Sequence, residues 1–324
     1  MSAKVSAVVV NYNGSAFIKQ ALLPLFDQDI GEVEVILVDN HSTDGSAGMV
    51  DAKFQAEILD GLLRIVRLDS NLGFARGANL GFQAAAGKYV ACINSDAFVP
   101  SDFARRMIEA LESVNGAIAA GCILETRGSY TRYASAFFRS GYIIAPTRFA
   151  SISRPVYSLA PCGAAAVYHK EELLSAGGYD GSFVSDWEDH DLGYRLNVLG
   201  YRCIHNPGVV VRHVGAGSFG RLDPRRYRRT ARNVLLTYYK NCERLNLWKV
   251  VTAPLASSLS SIRTRRSRVR AGLEPPGRDV AAVKGVCDFL KATASYRAIR
   301  SSIQRRRRTS DRRIARLTSG NVEW

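Results

Sequence analysis

The alternation of short apolar runs with helix-like segments over the first 120 residues most strongly constrains the fold. The apolar runs are Val5–Val10, Val33–Val38, Leu63–Leu68 and Tyr89–Ile93. Between them lie three segments with helical periodicity, Ser15–Phe26, Thr43–Ile58 and Phe74–Ala86. Strands that alternate with helices of about 10–15 residues are typical of βαβ units, whose parallel strands are apolar on both faces. The sequence therefore predicts an α/β fold with a mostly parallel central sheet.

A polar loop follows each predicted strand. The four loops are Asn11–Gly14, Asp39–Gly45, Asn71–Asn79 and Asn94–Asp96. Turn chemistry alone explains any one of them, because Asn, Asp, Gly and Ser are the common turn residues. The carboxyl ends of parallel strands, however, meet at one edge of a sheet, and open α/β sheets bind ligands there. Four such loops together therefore predict a ligand site.

Asp96 is a candidate metal ligand because it closes the short motif after the fourth strand. Hard divalent cations take oxygen ligands, usually one or two carboxylates together with substrate phosphates. The alternative is that Asp96 caps the helix predicted over Pro100–Glu109. The sequence alone leaves both interpretations open.

Three acidic residues, Glu188, Asp189 and Asp191, lie at the start of a helix predicted over Trp187–Leu199. The helix dipole favours acids there, which is a purely structural explanation. Clustered carboxylates also shift one another's pKa, which suits a general base. Asp191 and Arg195 are spaced i, i+4, and we expect them to pair and to orient this helix.

The chain between Ala117 and Val214 loses the regular alternation. Strands are predicted at Ala164–Tyr168 and Val209–Val214, whereas Ser129–Pro155 is predicted to be a long loop or an acceptor-facing insertion. His213 follows the last of these strands and precedes a Gly-rich loop. A metal or phosphate ligand and a structural histidine are equally open at this position.

The positive charge is concentrated at the carboxyl end of the chain. The net charge is +15, and residues 221–324 contain 26 Lys and Arg against 7 Asp and Glu. Helical patterns are predicted beyond Pro224 and over Asp279–Arg300. Such asymmetry indicates nucleic acid, an anionic membrane or an acidic partner, although a solvated Arg-rich helical face is the simpler alternative. The six cysteines form no CxxC pair, which fits a reducing cytosol.

The motifs together resemble family 2 glycosyltransferases. They read VVVNYNG, LVDNHSTDGS, NLGFARGANLG, NSD, WEDHDLGYR and GYRCIHNPGVVVRH, and they extend over roughly residues 4–220. The branch with bacterial rhamnosyltransferases and other enzymes of surface-polysaccharide assembly is the most similar. The resemblance implies an inverting enzyme with a GT-A fold. It implies a catalytic domain over residues 1–220, with a donor half of about 1–120 and an acceptor half of about 121–220. Residues 221–324 would form a basic helical extension.

The resemblance also assigns donor-binding residues. Asn11 and Asn13 match the first nucleotide contact, and Asp39 matches the acid that meets the base or ribose. The later matches are Asn71, Gly73 and Asn79 in the glycine loop, Arg76 facing the diphosphate, and Asn94 and Ser95 in the motif that ends at Asp96. The implied donor is a dTDP-, UDP- or GDP-sugar, and rhamnose is one candidate sugar.

The resemblance further implies a metal and a catalytic base. Asp96 matches the last acid of the DxD motif, and His213 resembles the late histidine that completes the site for Mg²⁺ or Mn²⁺. Asn94 stands where the first acid of that motif usually lies, which leaves Asp96 as the main metal carboxylate. Asp189, with Glu188 beside it, matches the base of the xED motif.

The implied acceptor is a glycan or a polyprenyl-diphosphate-linked glycan. We therefore expect a cytoplasmic enzyme at the inner face of the membrane, docked through residues 221–324 on anionic lipid. Tyr238, Tyr239 and Trp248 are candidate interfacial residues, beside the apolar stretch Val250–Leu259.

Three other functions were weighed against the glycosyltransferase interpretation, and the sequence supports each of them less well. A nucleotidylyltransferase usually opens with a Gly-rich loop containing Lys or Arg, which Val10–Asn13 lacks. A nucleic-acid protein would use Arg305–Arg308, but no nucleic-acid module is recognisable, so no nucleic acid is expected. An inactive homologue would not need to retain the four residues Asp39, Asp96, Asp189 and His213.

Overall fold

The computed structural model describes residues 5–31, 33–126, 129–131, 133–137, 143–148, 154–215, 223–243 and 277–319. Within them, the strands are β1 (Val5–Asn11), β2 (Val33–Asp39), β3 (Leu63–Arg67), β4 (Tyr89–Asn94), β5 (Ala97–Phe98), β6 (Ala117–Thr126), β7 (Ser129–Thr131), β8 (Tyr133–Phe137), β9 (Ile143–Arg148), β10 (Val156–Ser158), β11 (Ala165–His169) and β12 (Arg202–His213). The α-helices are α1 (Ile18–Leu22), α2 (Ser46–Lys53), α3 (Gln55–Leu59), α4 (Phe74–Ala84), α5 (Phe103–Ser113), α6 (Lys170–Ser175), α7 (Glu188–Val198), α8 (Pro224–Asn241), α9 (Arg278–Arg305) and α10 (Asp311–Ser319).

One large sheet organises the described part of the chain. Its strand order is β10-β12-β6-β11-β4-β1-β2-β3. Two short strands add to it, since β5 pairs with β12 and β7 pairs with β6. The four strands β3, β2, β1 and β4 are parallel, as the βαβ pattern predicts. β11 runs antiparallel to both β4 and β6, while β12 is parallel to β6. The carboxyl ends of β1, β2, β4 and β12 therefore share one edge with the start of β11.

Apolar residues cover both faces of this sheet. Every residue of β1 is buried, because α4 packs on one face and α1 and α5 lie on the other. α4 approaches closely because a Cβ at Gly81 would lie 2.2 Å from the Val8 side chain. The α/β fold with a mostly parallel sheet is thus confirmed.

The carboxyl-terminal helices pack against the sheet domain instead of standing apart from it. Leu236 of α8 and Phe289 of α9 are fully buried in one cluster with Phe183, which precedes α7. A second cluster joins Tyr194 of α7 to Ile314 of α10. α8 and α9 also pack against each other, where a Cβ at Gly285 would meet the backbone of α8. The predicted basic helices therefore share a core with α7.

Three expectations need correction. The segment Ser129–Pro155 is not simply a long loop, because β7 pairs antiparallel with the end of β6 and the strands β8 and β9 pair with each other. β12 begins at Arg202, well before the predicted start at Val209, and is irregular between Asn206 and Val210, which interrupts the apolar run. Tyr238 and Tyr239 are 3% and 8% exposed, so they belong to the core and not to a membrane interface. Trp248 and the stretch 250–259 lie outside the described residues.

Among the described helices, none combines the length and the apolar character needed to cross a membrane.

Candidate active site

The polar loops of the sequence motifs converge at one edge of the sheet. Asn11, at the end of β1, is paired in register with Asp39 at the end of β2. Its neighbour Val10 is in register with Asn94 at the end of β4. The amide N–H of Asn94 in turn donates to the carbonyl of Ala164, just before β11. These pairings place the strand-end residues side by side, as the parallel topology predicts.

Asn11 is buried and acts on Asp39. Its amide nitrogen donates to Asp39 Oδ1 at 3.0 Å and to the hydroxyls of Ser42 and Ser46 at 3.1 and 2.8 Å. Asn11 has no exposed surface, whereas 5% of Asp39 is exposed. Asn11 thus fixes the orientation of Asp39, and contact of Asn11 with a nucleotide stays a prediction.

The loops after β1 and β2 are joined by reciprocal hydrogen bonds. Asn13, which is exposed with a φ of 52°, accepts from the amide of Thr43 at 2.8 Å. Asp44 accepts from the amides of Ser15 at 2.8 Å and Ser46 at 3.0 Å. Burial acts to raise the pKa of Asp44, but these hydrogen bonds outweigh it and lower the pKa to about 2. Asp44 therefore holds the two loops together as a carboxylate, a role that its place in a turn-like motif did not reveal.

The glycine loop lies against the segment that leads into α7. Asn71 Oδ1 accepts from the amide of Gly73 at 2.9 Å, which fixes the turn. Gly73 has a φ of 83°, and a Cβ there would lie 2.7 Å from Val184 Cγ1 and 2.9 Å from its carbonyl oxygen. Only glycine fits this position, because any side chain would push this segment away.

Asn79 and Arg76 on α4 bond to the same region of the chain. The Asn79 amide donates to the Tyr179 carbonyl and accepts from the Tyr179 amide, both at 2.8 Å. Arg76 is exposed, and its Nε donates to the Gly181 carbonyl at 3.2 Å. The Asn79 side chain thus stabilises the Tyr179 backbone, and direct donor contacts by either residue stay predictions.

Asp96 and His213 form the pair expected of a metal site. His213 Nε2 lies 3.1 Å from Asp96 Oδ1 and 3.5 Å from the Asn94 amide nitrogen. Asp96 is not the helix cap, because the N-cap of α5 is Asp102. Ser95 lies beside this pair, and its hydroxyl would be 3.5 Å from a Cβ at Gly14. The motif after β4 and the end of β12 thus meet, and their role in holding a metal stays a prediction.

The donor set fits a divalent cation that is completed by substrate. A carboxylate and an imidazole are ordinary ligands for Mn²⁺ or Mg²⁺, which take their remaining ligands from phosphates and water. Among the residues that the structure describes, no three His, Cys, Asp or Glu side chains converge as a metal site. Asp96 and His213 would therefore hold the ion only in part, and a diphosphate would supply further oxygens.

Asp189 lies in the first turn of α7 and is held by several donors. Its Oδ2 accepts from the Gly163 amide at 2.9 Å, and its Oδ1 accepts from the His190 amide at 2.7 Å. His190 Nδ1 lies 2.8 Å from the same Oδ1. Burial acts to raise the pKa of Asp189, but the charge of His190 and these hydrogen bonds outweigh it and keep the pKa below its usual value. Asp189 is thus ionised at neutral pH.

Glu188 differs sharply from its neighbour. It is 8% exposed, and its Oε2 is buried without a hydrogen-bond partner among the described residues. Burial, together with the charge of Asp189, raises the pKa of Glu188 to about 8. At neutral pH the pair therefore consists of a neutral acid beside a carboxylate, an arrangement typical of catalytic sites.

The expected pair between Asp191 and Arg195 forms at 3.0 Å. Asp191 is fully buried and is also bonded by Lys240 Nζ at 2.8 Å and by the Asn241 amide at 2.9 Å. Lys240 additionally contacts Asp180 at 2.6 Å. The two partners from α8 were not predicted, because nothing in its sequence distinguishes Lys240 from the other basic residues of the extension.

His190 and Gly163 are also residues that sequence reasoning missed. The His190 ring stacks on Trp187, with the ring centroids 4.4 Å apart and the planes at 15°. Its place inside the WEDHD motif was the available signal. Gly163 is brought to Asp189 by the antiparallel start of β11, which no local pattern indicates.

Two family models match the chain. Residues 6–171 match Glycosyl transferase family 2, and residues 89–268 match Glycosyl transferase family group 2. Each match covers more than half of the 324 residues.

Similar proteins include the succinoglycan biosynthesis protein ExoO of Rhizobium meliloti (strain 1021). It is 36% identical over 115 residues, or 36% of this chain and 32% of that protein. The chain thus matches about a third of the length of this curated relative.

Two solved structures show the same fold. One is the mannosyltransferase PcManGT from Pyrobaculum calidifontis in complex with GDP-Man and Mn²⁺, with a TM-score of 0.56 at 19% identity. The match covers 92% of this chain and 88% of the PcManGT chain. S. aureus TarS 1–349 in complex with UDP-GlcNAc has a TM-score of 0.57 at 17% identity, with 93% and 89% covered. The implied GT-A fold is thereby confirmed.

Proposed function

The chain belongs to glycosyl transferase family 2, and from the geometry of its sheet edge we propose that it moves a sugar from a nucleotide-diphospho-sugar to an acceptor hydroxyl. One observation carries the proposal. The ionised carboxylate of Asp189 and the Asp96–His213 pair lie at the same edge, linked through Gly163 and Ala164 to Asn94. A base and a diphosphate site side by side are what direct displacement requires.

Asp189 is the proposed general base. Its carboxylate accepts the proton of the acceptor hydroxyl as that oxygen bonds to the anomeric carbon; the bond from this carbon to the diphosphate oxygen breaks, the nucleoside diphosphate leaves, and the configuration inverts. Glu188, neutral beside it, offers a hydroxyl group to a sugar oxygen or to the developing charge. General-base assistance of this kind is typically worth about 10²–10⁴-fold in rate.

Asp96 and His213 would hold a divalent cation, Mg²⁺ or Mn²⁺, which when bound stabilises the negative charge of the nucleoside diphosphate. Asp39 would meet the base or ribose, since Asn11 fixes its carboxylate at the edge. The glycine loop at Gly73 and the exposed Arg76 would face the diphosphate. The dTDP, UDP and GDP sugars, including dTDP-rhamnose, are the candidate donors, and a surface-polysaccharide or polyprenyl-diphosphate-linked glycan is the proposed acceptor.

Replacing the base tests the mechanism. Asp189→Asn is expected to lower turnover by about 10²–10⁴-fold, while the affinity for the donor nucleotide changes little because the variant keeps the size of the side chain. Donor binding is measured by calorimetry and transfer by product formation. The matched control is Asp102→Asn at the start of α5, which should leave both values unchanged. Near-normal turnover in Asp189→Asn would remove this residue from the role.

The metal is tested separately by chelation. A first thermal-shift screen of UDP, dTDP and GDP sugars with Mg²⁺ or Mn²⁺ identifies the donor. Transfer is then measured with EDTA and after restoring the ion. Loss and recovery of transfer would support the site at Asp96 and His213, whereas full activity under EDTA would refute it.

We further propose that the basic extension docks on an anionic membrane surface. On α9, Val280, Val283 and Leu290 are 59%, 47% and 55% exposed, and their three- and four-residue spacing, bridged by Cys287, puts them on one face. Exposed Lys284 and Lys291 lie on the same helix. Apolar side chains beside cations are typical of helices that lie in the membrane interface.

Vesicle co-sedimentation tests the docking. Wild-type protein should bind phosphatidylglycerol vesicles better than phosphatidylcholine vesicles, and the double variant Val283→Ser, Leu290→Ser should bind less. Leu59→Ser is the control, because this leucine on α3 is even more exposed, at 79%. Equal binding by all variants, or steeply salt-dependent binding to RNA, would reject the membrane proposal.

A further inference from the structure

The segment that leads into α7 has an unusual backbone. Val184, Asp186 and Trp187 have φ angles of 64°, 68° and 78°, although none of them is glycine. Such conformations cost of order 1–3 kcal/mol each and persist only where surrounding contacts enforce them. Val184 is the most unfavourable of the three, because a β-branched side chain rarely adopts positive φ. Trp187 is followed directly by Glu188 and Asp189, so this segment sets where α7 begins.

A single side chain from α8 bonds to three carbonyls of this segment. The amide nitrogen of Asn233 lies 3.1 Å from the Phe183 oxygen, 3.2 Å from the Ser185 oxygen and 2.8 Å from the Asp186 oxygen. Asn233 has no exposed surface. In this buried position the three carbonyl oxygens converge on one donor group, which requires the backbone to turn back on itself.

Other residues of α8 support the same segment from its surface. Arg226 and Arg229 pair with the Asp186 carboxylate at 2.7 and 3.1 Å, and Arg232 donates to the Ser182 carbonyl at 3.0 Å. Arg226 is 42% exposed, so solvent screens part of that attraction. The buried Asn233 is therefore the contact that water cannot replace.

The opposite side of the segment touches the glycine loop. The Val184 carbonyl accepts from the Ala75 amide at 3.0 Å, and Gly73 lies against the same residue. The segment Phe183–Trp187 thus lies between the proposed donor loop and α8, and it ends at the proposed base. A shift of this segment would move Asp189 relative to both.

We propose that Asn233 is a positioning residue for Asp189. By holding the Phe183, Ser185 and Asp186 carbonyls, it keeps the strained segment in place and fixes the first turn of α7. Helix α8, which the sequence assigned to a docking extension, thereby completes the active site. The inference rests on the proposed transferase function, in which Asp189 is the base.

The test compares Asn233→Ser and Asn233→Leu with the wild-type protein. Asn233→Ser removes the amide and changes the side-chain volume less than Asn233→Leu does, so we expect it to fold more readily. A displacement of about 1 Å at a catalytic group costs of order 10²-fold. We therefore expect turnover to fall by about this factor while the donor KM stays within about threefold.

A second measurement does not depend on activity. Hydrogen exchange of the peptide covering 183–191 should accelerate in both variants, because the Ser185 amide donates within this segment to the Phe183 oxygen at 2.7 Å. Exchange in β1 should be unchanged. Asn206→Leu is the matched control. This buried asparagine donates to the Arg106 carbonyl at 3.1 Å, in contact with α5, and should lower stability without affecting turnover or this peptide.

The outcomes separate the two proposals. If the wild-type protein transfers sugar and turnover in Asn233→Ser stays within threefold, the positioning role is refuted. A fall no larger than that of Asn206→Leu, or unchanged exchange over 183–191, refutes it as well. If the wild-type protein transfers no sugar, the transferase proposal fails, while hydrogen exchange still decides whether Asn233 holds the segment.

Discussion

The Asp189 carboxylate shows how neighbouring groups set the state of one residue. Cys162, beside Gly163, and Cys92 on β4 both have their pKa raised to about 12 by burial and by the nearby carboxylates, so they stay neutral. Glu188 is neutral near pH 7 for the same reason. The positive charge of His190, by contrast, lowers the pKa of Asp189.

Removing His190 should therefore change the pH dependence of turnover. A base must be deprotonated, so turnover falls as the pH drops through the pKa of Asp189. His190→Phe keeps the stacking on Trp187 but removes the charge, so the pKa of Asp189 rises. The acid limb should then move to higher pH. The measurement is kcat over a pH range that starts at about pH 3.5, below the ordinary pKa of an aspartate, and ends near neutral pH.

His190→Gln refines this experiment, because the amide restores a neutral donor and should give a smaller shift. His169→Phe is the control, since the ring of that histidine packs at a 55° tilt against Tyr89, with the ring centroids 4.7 Å apart. An acid limb that does not move in His190→Phe would contradict the electrostatic role.

At the scale of single residues, the sequence predicted which residues come together where neighbouring strands end at the same edge of the sheet. The resemblance to family 2 glycosyltransferases implied that Asp96 and His213 meet, and His213 Nε2 does lie 3.1 Å from Asp96 Oδ1. The inward orientation of Asn11 did not follow, because it depends on Ser42 and Ser46 across two loops. A side chain at a strand end looks the same in sequence whether it contacts a ligand or a second loop.

At the scale of elements, the start of β11 controls the position of α7. A Cβ at Gly163 would lie 2.9 Å from Asp189 Oδ2 and 3.1 Å from its Cβ. Gly163→Ala should therefore displace the carboxylate and weaken the hydrogen bond from the Gly163 amide. We expect turnover to fall by about 10-fold to 10²-fold, with the affinity for the donor nucleotide unchanged.

Gly48→Ala is the matched control for this variant. Gly48 lies within α2, and a Cβ there would meet nothing within 4 Å. Alanine should stabilise that helix by roughly 0.5–1 kcal/mol and leave turnover unchanged. Thermal melts and kcat of the two variants, measured side by side, distinguish a local clash from a general effect of alanine. Equal kcat in both would contradict the argument.

The regular elements were predictable because each βα unit buries its own apolar pattern locally. Strands β1, β2 and β4 were placed to within a residue or two. The strands β7, β8 and β9 were missed, because they pair only with one another or with the end of β6 and carry no alternating pattern. The first half of β12 was missed for a similar reason, because the polar residues His205 and Asn206 interrupt its apolar pattern where the strand is irregular.

At the scale of the whole molecule, several basic side chains of the carboxyl-terminal helices form ion pairs or hydrogen bonds within the fold. Arg228 pairs with Asp288 between α8 and α9, and Arg300 donates to carbonyls at the end of α8. Arg307 pairs with Asp311 at 3.1 Å. The net charge is visible in the sequence, but how it divides between internal bonds and solvent depends on tertiary contacts. We propose that residues 1–220 form the catalytic domain and that the extension is packed against it, so deleting 221–324 would unfold the protein and is a poor test of docking.

Lys240 is a buried charged residue of α8 at the contact between the extension and the rest of the fold. Its side chain is 2% exposed and lies between Asp180 and Asp191. Lys240→Met leaves buried carboxylates without their partner, which typically costs about 3–5 kcal/mol. Urea denaturation should show this loss, whereas Lys284→Met on the exposed face of α9 should stay within about 0.5 kcal/mol of wild type.

The pH dependence of unfolding gives the same interaction a second signature. Burial acts to raise the pKa of Asp180, but Lys240 outweighs it and lowers the pKa from 3.8 to about 2. A carboxyl with a lowered folded-state pKa stabilises the protein above its unfolded value and loses that contribution as the pH falls towards 2. Lys240→Met should lack this step between about pH 4 and 2, and Lys240→Met with Asp180→Asn should recover part of the lost stability because no unpaired charge remains at that site. If the single and double variants unfold alike, the ion pair does not join the extension to the catalytic domain, and apolar packing around Phe289 does so alone.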